Sequence, residues 1–557
     1  MCAITPDKLK GNRTSRKLDK ENDFLFDVIM KNGYLIDGTG NPWFEADIGI
    51  KNGKVLEIGD LSSEDANRII DAKGFVVCPG FIDMHSHSEY SLLVNPKAES
   101  KIRQGVTTEV NGNCGDSPAP IEGLTAEAVE EAKEYKLDID WSTLGEYLDR
   151  LAKQGIALNV AQLVGHGTIR NAVMGYKNMP PTSEELGEMK ALVVQAMRDG
   201  AFGLSTGLFY PPCCFAKTDE IIELCRIVVK YGGIYASHIR GEGDPLIEAV
   251  AEAIEIGEKA NIPVEISHHK ACGIENWGKV IKTLRMIEEA RSRGVDITCD
   301  VYPYEACGTD LVSMVPTWAH EGGVDKLRER LSDPKNREMI KKEMLAGLPN
   351  WESSVKQSGW GKIKVIGWKE HKEFEGKTLA EIAELKNVDS FDLTFDLIMK
   401  KESPELVEFA MSEEDVSDVI KHPSSMVGSD GWAIAPYGVL GESKTHPRSY
   451  GTYPRILGKY VREEKTLSLE EAIRKMASLP AQKLGLRDRG MIREGMWADV
   501  VMFNPKTVMD EATYEYPHRY PEGIEYVLVN GEIVIDKRKH TGALPGKILQ
   551  IPKGKIR

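Results

Sequence analysis

The chain of 557 residues is too long for one small core, so we expect one large domain with an appendage, or several domains. Hydrophobic residues make up 41% of it and charged residues 28%, as in ordinary globular proteins, and the formal net charge is −15. This charge argues against nucleic acids and anionic membranes as partners, and no apolar run approaches the ~18 residues of a membrane helix.

The first 25 residues are polar, and we predict that they form an N-terminal arm outside the folded domains. They contain no apolar stretch of the kind that a signal peptide needs. The nine cysteines of the chain are an odd number and lack the spacing of a disulfide framework, which suits a reducing compartment. We therefore predict a cytoplasmic protein.

Short strands with hairpin turns occupy residues 26–76 and return at residues 490–557. Asn-Gly and Asp-Gly dipeptides, as in "KNGYLIDGTG", are typical of tight turns between strands. Each segment is too small to enclose a core alone. We predict that the two join into one small β-sandwich, with the second segment also providing the C-terminal tail.

Between these segments, over residues 77–489, short apolar strands alternate with amphipathic helices. Strands are predicted at 77–83, 107–113, 157–165, 202–206, 233–238, 262–268, 295–302 and 424–430. This order favours an α/β fold with a (β/α)8 barrel of the TIM type, and an open doubly wound sheet is the alternative. The interval 310–423 is too long for one crossover, so we predict an inserted subdomain or lid between strands seven and eight.

Residues with metal-binding or acid–base chemistry follow most of the predicted strands. The barrel hypothesis requires this, because active sites of such barrels lie at the carboxyl ends of the strands. His85 and His87 begin the series, and side chains at i and i+2 of a strand project to the same face. The complete series is His85, His87, Cys114, His166, Tyr210, His238, His268, His269, Lys270, Tyr302, Tyr304 and Asp430.

These residue types predict metal-assisted hydrolysis. Imidazole and thiolate are preferred zinc ligands, and a catalytic zinc keeps one position open for water. Bound zinc lowers the pKa of that water to about 7, and a nearby carboxylate can pass its proton to the leaving group. Asp430, in the turn "GSDG", is the candidate for this carboxylate. Cys114, His238 or His268 alone could be an ordinary buried residue, but their shared location at one barrel rim favours a site.

Several motifs are similar to those of the amidohydrolase superfamily and, within it, of the N-acyl-D-amino-acid deacylases, or D-aminoacylases. They are "PGFIDMHSHSE", "GNCG", "SHIRGEG", "ISHHK", "DVYPY", "GSDG" and "HPRSYGTYPRIL", in a resemblance that spans residues 26–540. It implies a TIM-type barrel beside a small β-sandwich, with zinc at the barrel mouth. The implied reaction cleaves a small-molecule N-acyl-D-amino acid into a carboxylate and a free D-amino acid; the oligomeric state stays open.

The resemblance also implies which residues hold the metal. Cys114, His238 and His268 match the ligands of one tightly bound zinc ion. His85 and His87 match a pair that can hold a second, weaker metal.

Further roles are implied for the reaction and for substrate binding. Asp430 matches the general acid/base, and Tyr210 matches a residue that polarises the scissile carbonyl. Three residues match groups that bind the substrate α-carboxylate: Lys270, Tyr302 and Arg448. For His166 and His269 the sequence does not fix the direction of the side chain, so an indirect role behind the ligands stays open.

Two alternatives to this reading remain. The first is hydrolysis of another C–N bond, in a D-dipeptide, an N-carbamoyl compound or a cyclic ureide. Relatives that open cyclic ureides bridge two metals with a lysine near the end of strand four, where this chain has "AFGLSTGLFYPP". The second is an inactive barrel that serves as a scaffold, although every site position is filled. Glu89, where relatives often carry Asp, and Cys307, where they usually carry Ser, leave the substrate specificity open.

Overall fold

The computed structural model describes residues 26–349, 351–402 and 404–551, so the predicted N-terminal arm lies outside the described residues. The strands are β1 (Phe26–Leu35), β2 (Phe44–Lys51), β3 (Lys54–Gly59), β4 (Ala66–Asp71), β5 (Val76–Pro79), β6 (Phe81–Asp83), β7 (Val106–Asn111), β8 (Asn159–Gln162), β9 (Val164–Gly165), β10 (Gly203–Gly207), β11 (Ile234–His238), β12 (Val264–Ile266), β13 (Ile297–Val301), β14 (Cys307–Thr309), β15 (Ile363–Gly367), β16 (Glu405–Glu408), β17 (Ser425–Val427), β18 (Val500–Phe503), β19 (Ile524–Val529), β20 (Glu532–Asp536) and β21 (Lys539–His540).

The α-helices are α1 (Ser91–Val94), α2 (Glu99–Ile102), α3 (Ala126–Glu134), α4 (Leu144–Gln154), α5 (His166–Met174), α6 (Ser183–Asp199), α7 (Thr218–Val228), α8 (Leu246–Ala260), α9 (Lys279–Ser292), α10 (Val324–Ser332), α11 (Pro334–Ala346), α12 (Ser354–Gln357), α13 (Leu379–Lys386), α14 (Ser390–Lys400), α15 (Glu413–Lys421), α16 (Arg448–Arg455), α17 (Leu469–Met476) and α18 (Ser478–Lys483). Among the described residues, none of these helices combines the length and the apolar character needed to cross a membrane.

Strands from both ends of the chain form one nine-stranded sheet. Its order is β21-β20-β19-β18-β5-β1-β2-β3, and β4 pairs in parallel with β1. The sheet folds around a core of its own, which contains Val28, Ile48, Ile50, Val500 and Leu528. The N- and C-terminal segments therefore join into one β-structure, as predicted, and its strands pair as one continuous sheet. The domain boundaries proposed for it stay predictions.

The strand predicted at 77–83 is in fact two strands in two different sheets. β5 pairs with β1 and β18 in the sandwich, and β6 pairs with β7 in the barrel. Gly80 lies between them, where a Cβ atom would come within 2.2 Å of Thr107 Oγ1. The apolar run continues through this change of sheet, so periodicity alone does not reveal it.

Parallel strands build the barrel in chain order. One sheet contains β6, β7 and β8, and the other runs β9-β10-β11-β12-β13-β17. β8 and β9 are successive parts of one interrupted strand, which gives eight strands in all. The last strand closes on the first because Asp430 N donates to His85 O (2.8 Å) and His87 N donates to Gly431 O (3.1 Å). This closure confirms the (β/α)8 barrel and excludes the open sheet.

Local signals define the barrel helices, and α6 shows them clearly. The Thr182 side chain accepts a hydrogen bond from Glu185 N, and the Glu185 side chain accepts one from Thr182 N, which is a capping box. The helix ends at Gly200, whose φ of +118° favours glycine. Met189 and Val193 lie on the face that packs toward the barrel core.

The chain between β13 and β17 forms an insertion with its own core. β14, β16 and β15 make a small antiparallel sheet, and the core of the insertion contains Leu327, Ile340, Val365 and Phe395. Within the predicted interval 310–423, α15 packs against α9 and β17 as a barrel helix would. The insertion between strands seven and eight is thus confirmed as part of the fold.

A buried lysine stabilises the seam between the first and last barrel strands. Lys101 is fully buried, and its Nζ atom donates to Asp83 Oδ2 and to Ser429 Oγ, both at 2.6 Å. We expect Lys101→Met to lower the free energy of unfolding by about 3–5 kcal/mol, because it removes the countercharge of the buried Asp83 carboxylate. Urea denaturation measures this loss. Lys133→Met, which removes an exposed ion pair with Glu130, should cost less than about 1 kcal/mol; equal losses would contradict the argument.

Candidate metal centre

Three imidazoles from different strand ends surround the thiol of Cys114. The Sγ atom lies 3.3 Å from His85 Nε2, 3.7 Å from His238 Nδ1 and 3.5 Å from His268 Nε2. These residues follow or end β6, β7, β11 and β12, which are distant along the chain but adjacent in the barrel. The barrel thus assembles donors that are spread over residues 85–268 of the sequence.

The spacing of these atoms fits a zinc ion. Zinc bonds of about 2.3 Å to sulfur and about 2.05 Å to nitrogen, at tetrahedral angles, separate the two ligand atoms by about 3.6 Å. The three observed sulfur–nitrogen distances lie within a few tenths of an ångström of this value. One thiol with several imidazoles is also a donor set that zinc prefers.

The ligand atoms fall into two groups that share Cys114. One group is Cys114, His238 and His268, and the other is His85, His87, Cys114 and Asp430. In the second group Asp430 Oδ1 lies 3.0 Å from His87 Nε2 and 3.4 Å from His85 Nε2.

The environment of His87 favours a protonated imidazole. Burial disfavours its charged form, but hydrogen bonding to Asp430 and to Cys114 outweighs burial and raises its pKa to about 10. A proton on His87 therefore competes with a cation in the second group. In the first group, burial lowers the pKa of His238 to about 4. At neutral pH no proton on this imidazole therefore competes with a metal ion.

The backbone is left-handed at three of these positions. Cys114, His268 and Asp430 have φ angles of +52°, +35° and +50°, values that side-chain-bearing residues rarely adopt. Each lies just beyond a strand, where a left-handed residue turns the chain sharply. Such strain concentrates at functional sites, because the required direction of the side chain outweighs the local cost.

Asp430 is held in its ionised form. Its carboxylate is buried, which favours the neutral acid, but Arg448 Nη1 lies 2.7 Å from Oδ2 and His87 contacts Oδ1. These partners outweigh burial and hold the pKa of Asp430 well below its usual range. An ionised carboxylate beside the metal ligands can accept a proton.

Arg448 and Tyr302 present buried donors that lack acceptors. The guanidinium of Arg448 lies 4.9 Å from the centroid of the Tyr302 ring. Among the described residues, neither the Tyr302 hydroxyl nor Arg448 Nε makes a hydrogen bond, although both are buried. Buried donors are rarely left unsatisfied, so this pair is suited to bind an anionic ligand.

Lys270 and Tyr210 also lie at the site. Lys270 Nζ is 5.5 Å from the Tyr302 ring centroid, but it already donates to Glu242 Oε1 at 2.6 Å. The Tyr210 ring packs edge-on against His238, with 4.9 Å between the ring centroids. Burial raises the pKa of the Tyr210 hydroxyl well above its usual value, so this group remains a donor at neutral pH.

The two histidines with unassigned directions contact residues other than the candidate metal ligands. His166 is fully buried between Glu220 Oε1 (2.9 Å from Nε2) and Cys213 Sγ (3.4 Å from Nδ1). His269 Nε2 lies 2.8 Å from Thr283 Oγ1 on α9. Both side chains contact other residues of the barrel wall and do not belong to the cluster around Cys114.

Two carboxylates that contact candidate metal ligands were not predicted from the sequence. Glu242 Oε1 lies 2.9 Å from His268 Nδ1, and Asp300 Oδ2 lies 3.5 Å from His85 Nδ1. Asp300 Oδ1 also accepts a hydrogen bond from His268 N. The quoted motif "SHIRGEG" contains Glu242, four residues after His238, and this proximity was the available signal.

The two departures from the family pattern have separate locations. Glu89 is buried, and its Oε1 accepts a hydrogen bond from Gly112 N in the loop that leads to Cys114. Cys307 precedes Gly308, where a Cβ atom would lie 3.2 Å from Arg448 Nη2. Glu89 therefore holds the loop that leads to Cys114, and Cys307 lies near the unsatisfied donors of Arg448.

The chain is similar to proteins of known activity over almost its whole length. Residues 68–315 and 319–535 match the model of a family described as "Amidohydrolase family". A D-aminoacylase of Alcaligenes xylosoxydans xylosoxydans is 37% identical over 531 residues, which cover 94% of this chain and 97% of that relative. An N-acyl-D-glutamate deacylase of the same organism is also 37% identical, over 94% of this chain and 96% of its own.

A solved structure shows the same similarity in three dimensions. The N-acyl-D-glutamate deacylase of Bordetella bronchiseptica, complexed with zinc and a phosphonate inhibitor that mimics the tetrahedral intermediate, is 34% identical. The match has a TM-score of 0.80 and covers 94% of this chain and 99% of that one.

Proposed function

This chain belongs to the amidohydrolase family, and we propose that it is a zinc-dependent hydrolase of N-acyl-D-amino acids. The products are a carboxylate and a free D-amino acid. The observation that carries the proposal is the cluster of Cys114 Sγ with three imidazole nitrogens at 3.3–3.7 Å, beside an ionised Asp430. The similar proteins named D-aminoacylase and N-acyl-D-glutamate deacylase support the substrate class.

Cys114, His238 and His268 are proposed to hold the tightly bound zinc. When bound there, zinc would act as a Lewis acid toward the scissile carbonyl and the attacking water. His85 and His87 are proposed to hold a second metal more weakly, because the proton on His87 competes with it.

Asp430 is proposed as the general acid/base and Tyr210 as a donor to the carbonyl oxygen. Asp430 is ionised in this environment, so it can take a proton from water and return it to the leaving amine. The Tyr210 hydroxyl stays protonated and can stabilise the negative charge that develops on the carbonyl oxygen.

Arg448, Tyr302 and Lys270 are proposed to bind the α-carboxylate of the substrate. The unsatisfied donors of Arg448 and Tyr302 support this role. Arg448 contacts Asp430 on one side, so a carboxylate on its other donors would be held at a fixed distance from the acid/base. This spacing would place the amide bond, which is next to the α-carbon, near Asp430.

The proposal predicts amine release from N-acetyl-D-amino acids and not from their L enantiomers. Zinc-loaded protein is assayed with paired substrates that have acidic, aliphatic and aromatic side chains. Protein treated with a chelator should be inactive, and added zinc should restore turnover. Turnover of a cyclic ureide or a D-dipeptide alone would favour the first alternative. A protein that bound no stoichiometric zinc and turned over no substrate would favour the scaffold.

We further propose a cytoplasmic location. Every cysteine in the described residues is a free thiol, which is typical of a reducing compartment.

A further inference from the structure

One carboxylate oxygen contacts both a metal ligand and a substrate-binding cation. Glu242 Oε1 lies 2.9 Å from His268 Nδ1 and 2.6 Å from Lys270 Nζ. The lysine nitrogen is itself 2.7 Å from His268 Nδ1, so the three polar atoms form a closed triangle. All three residues are buried, so bulk water is a weak competitor for these contacts.

The two neighbours of His268 Nδ1 favour opposite positions for the imidazole hydrogen. A carboxylate only accepts hydrogen bonds and an ammonium only donates them, whereas a ring nitrogen can do either. Opposite Glu242, Nδ1 carries the hydrogen and Nε2 keeps its lone pair. Opposite Lys270, Nδ1 accepts and Nε2 carries the hydrogen.

Only one of these arrangements can bind a metal. His268 Nε2 is the atom that faces Cys114 Sγ, at 3.5 Å, so its lone pair must be free for His268 to act as a ligand. The contact with Glu242 provides this state, and the contact with Lys270 opposes it. Glu242 also attracts the ammonium group of Lys270, since Glu242 Oε1 is the nearest acceptor to Nζ.

We propose that Glu242 is a positioning residue that keeps His268 in its metal-binding tautomer against the competing Lys270. One oxygen of Glu242 thereby orients both a zinc ligand and a cation of the α-carboxylate site. This inference rests on the proposed function, since it assigns those roles to His268 and Lys270.

The test measures zinc affinity, which does not depend on turnover. Zinc dissociation constants are determined by chelator competition for the full-length wild type, Glu242→Ala, Lys270→Met and the double variant. We expect Glu242→Ala to weaken zinc binding by about 10–100-fold, the usual effect of losing a partner behind a metal ligand. The double variant should recover most of that loss, because without Lys270 no donor forces the hydrogen onto Nε2. Lys270→Met alone should bind zinc at least as tightly as the wild type.

The rescue by the second substitution separates this role from a merely structural one. Equal zinc affinity in Glu242→Ala and the double variant would overturn the proposal, and so would wild-type affinity in Glu242→Ala. If Glu242→Ala does not fold, Glu242→Gln retains an acceptor oxygen but loses the charge that holds Lys270. It should weaken zinc binding less than 10-fold and be rescued in the same way, and failure of this rescue would overturn the proposal.

A matched control comes from a neighbouring carboxylate. Glu352 accepts a hydrogen bond from Gly243 N, in the same loop as Glu242, so Glu352→Gln should leave zinc affinity unchanged. A weakening equal to that of Glu242→Ala would assign the effect to the loop and overturn the proposal. A wild-type protein that bound no zinc would contradict the proposed function itself, whereas the outcomes above concern Glu242 alone.

Discussion

Asp430→Asn is expected to lower kcat by about 10²–10⁴-fold while one zinc ion per chain stays bound. Asparagine has nearly the shape of aspartate but cannot take a proton from water at neutral pH. Zinc should remain because the proposed tight site consists of Cys114, His238 and His268, which do not include this carboxylate. Steady-state turnover and the metal content of the same preparation measure the two parts of the expectation.

Asp510→Asn is a matched control for this variant. Asp510 is also a shielded carboxylate paired with an arginine, since Arg455 Nη1 lies 3.2 Å from its Oδ2, but it lies outside the metal cluster. We expect its turnover to stay within about twofold of the wild type. Near-normal activity in Asp430→Asn would refute its role as general acid/base.

Cys114→Ala is expected to remove stoichiometric zinc and, with it, turnover. The thiol belongs to both groups of ligand atoms, so its loss leaves two histidines in the first group and no sulfur in either. Metal content after dialysis, measured by atomic absorption, gives the result directly. We expect less than a tenth of the wild-type zinc at equal protein concentration.

Cys225→Ala is the corresponding control. Cys225 is a fully buried free thiol on α7, among the apolar residues of the main core, so its replacement should cost stability and leave the zinc content unchanged. Wild-type zinc in Cys114→Ala would refute the proposed ligand set.

The strand ends were predictable because a barrel must place its chemistry there. Short apolar segments followed by His85, Cys114, His238 or His268 were enough to predict both the fold and a metal cluster. A closed ring of parallel strands brings all such ends to one face, so the order of strands determines the neighbours without any knowledge of the loops.

Side-chain direction was not predictable in the same way. His268 and His269 are adjacent in the sequence, yet one faces Cys114 and the other Thr283. The left-handed backbone at His268 contributes to this difference, and the residue type does not predict that backbone conformation. The partners of Lys270 were missed for a similar reason, since Glu242 comes from the neighbouring strand end and pairs with it only after the barrel forms.

The left-handed backbone at Cys114, His268 and Asp430 lowers the stability of the fold at positions that the proposed activity requires. Each such residue costs on the order of 1–3 kcal/mol, and glycine at these positions would relieve most of that cost. Substitutions to glycine here would remove the proposed metal ligands or the proposed acid/base while they stabilise the fold. A selection for heat resistance alone would therefore tend to enrich inactive proteins, so any improvement of this enzyme by directed evolution has to select for turnover at every round.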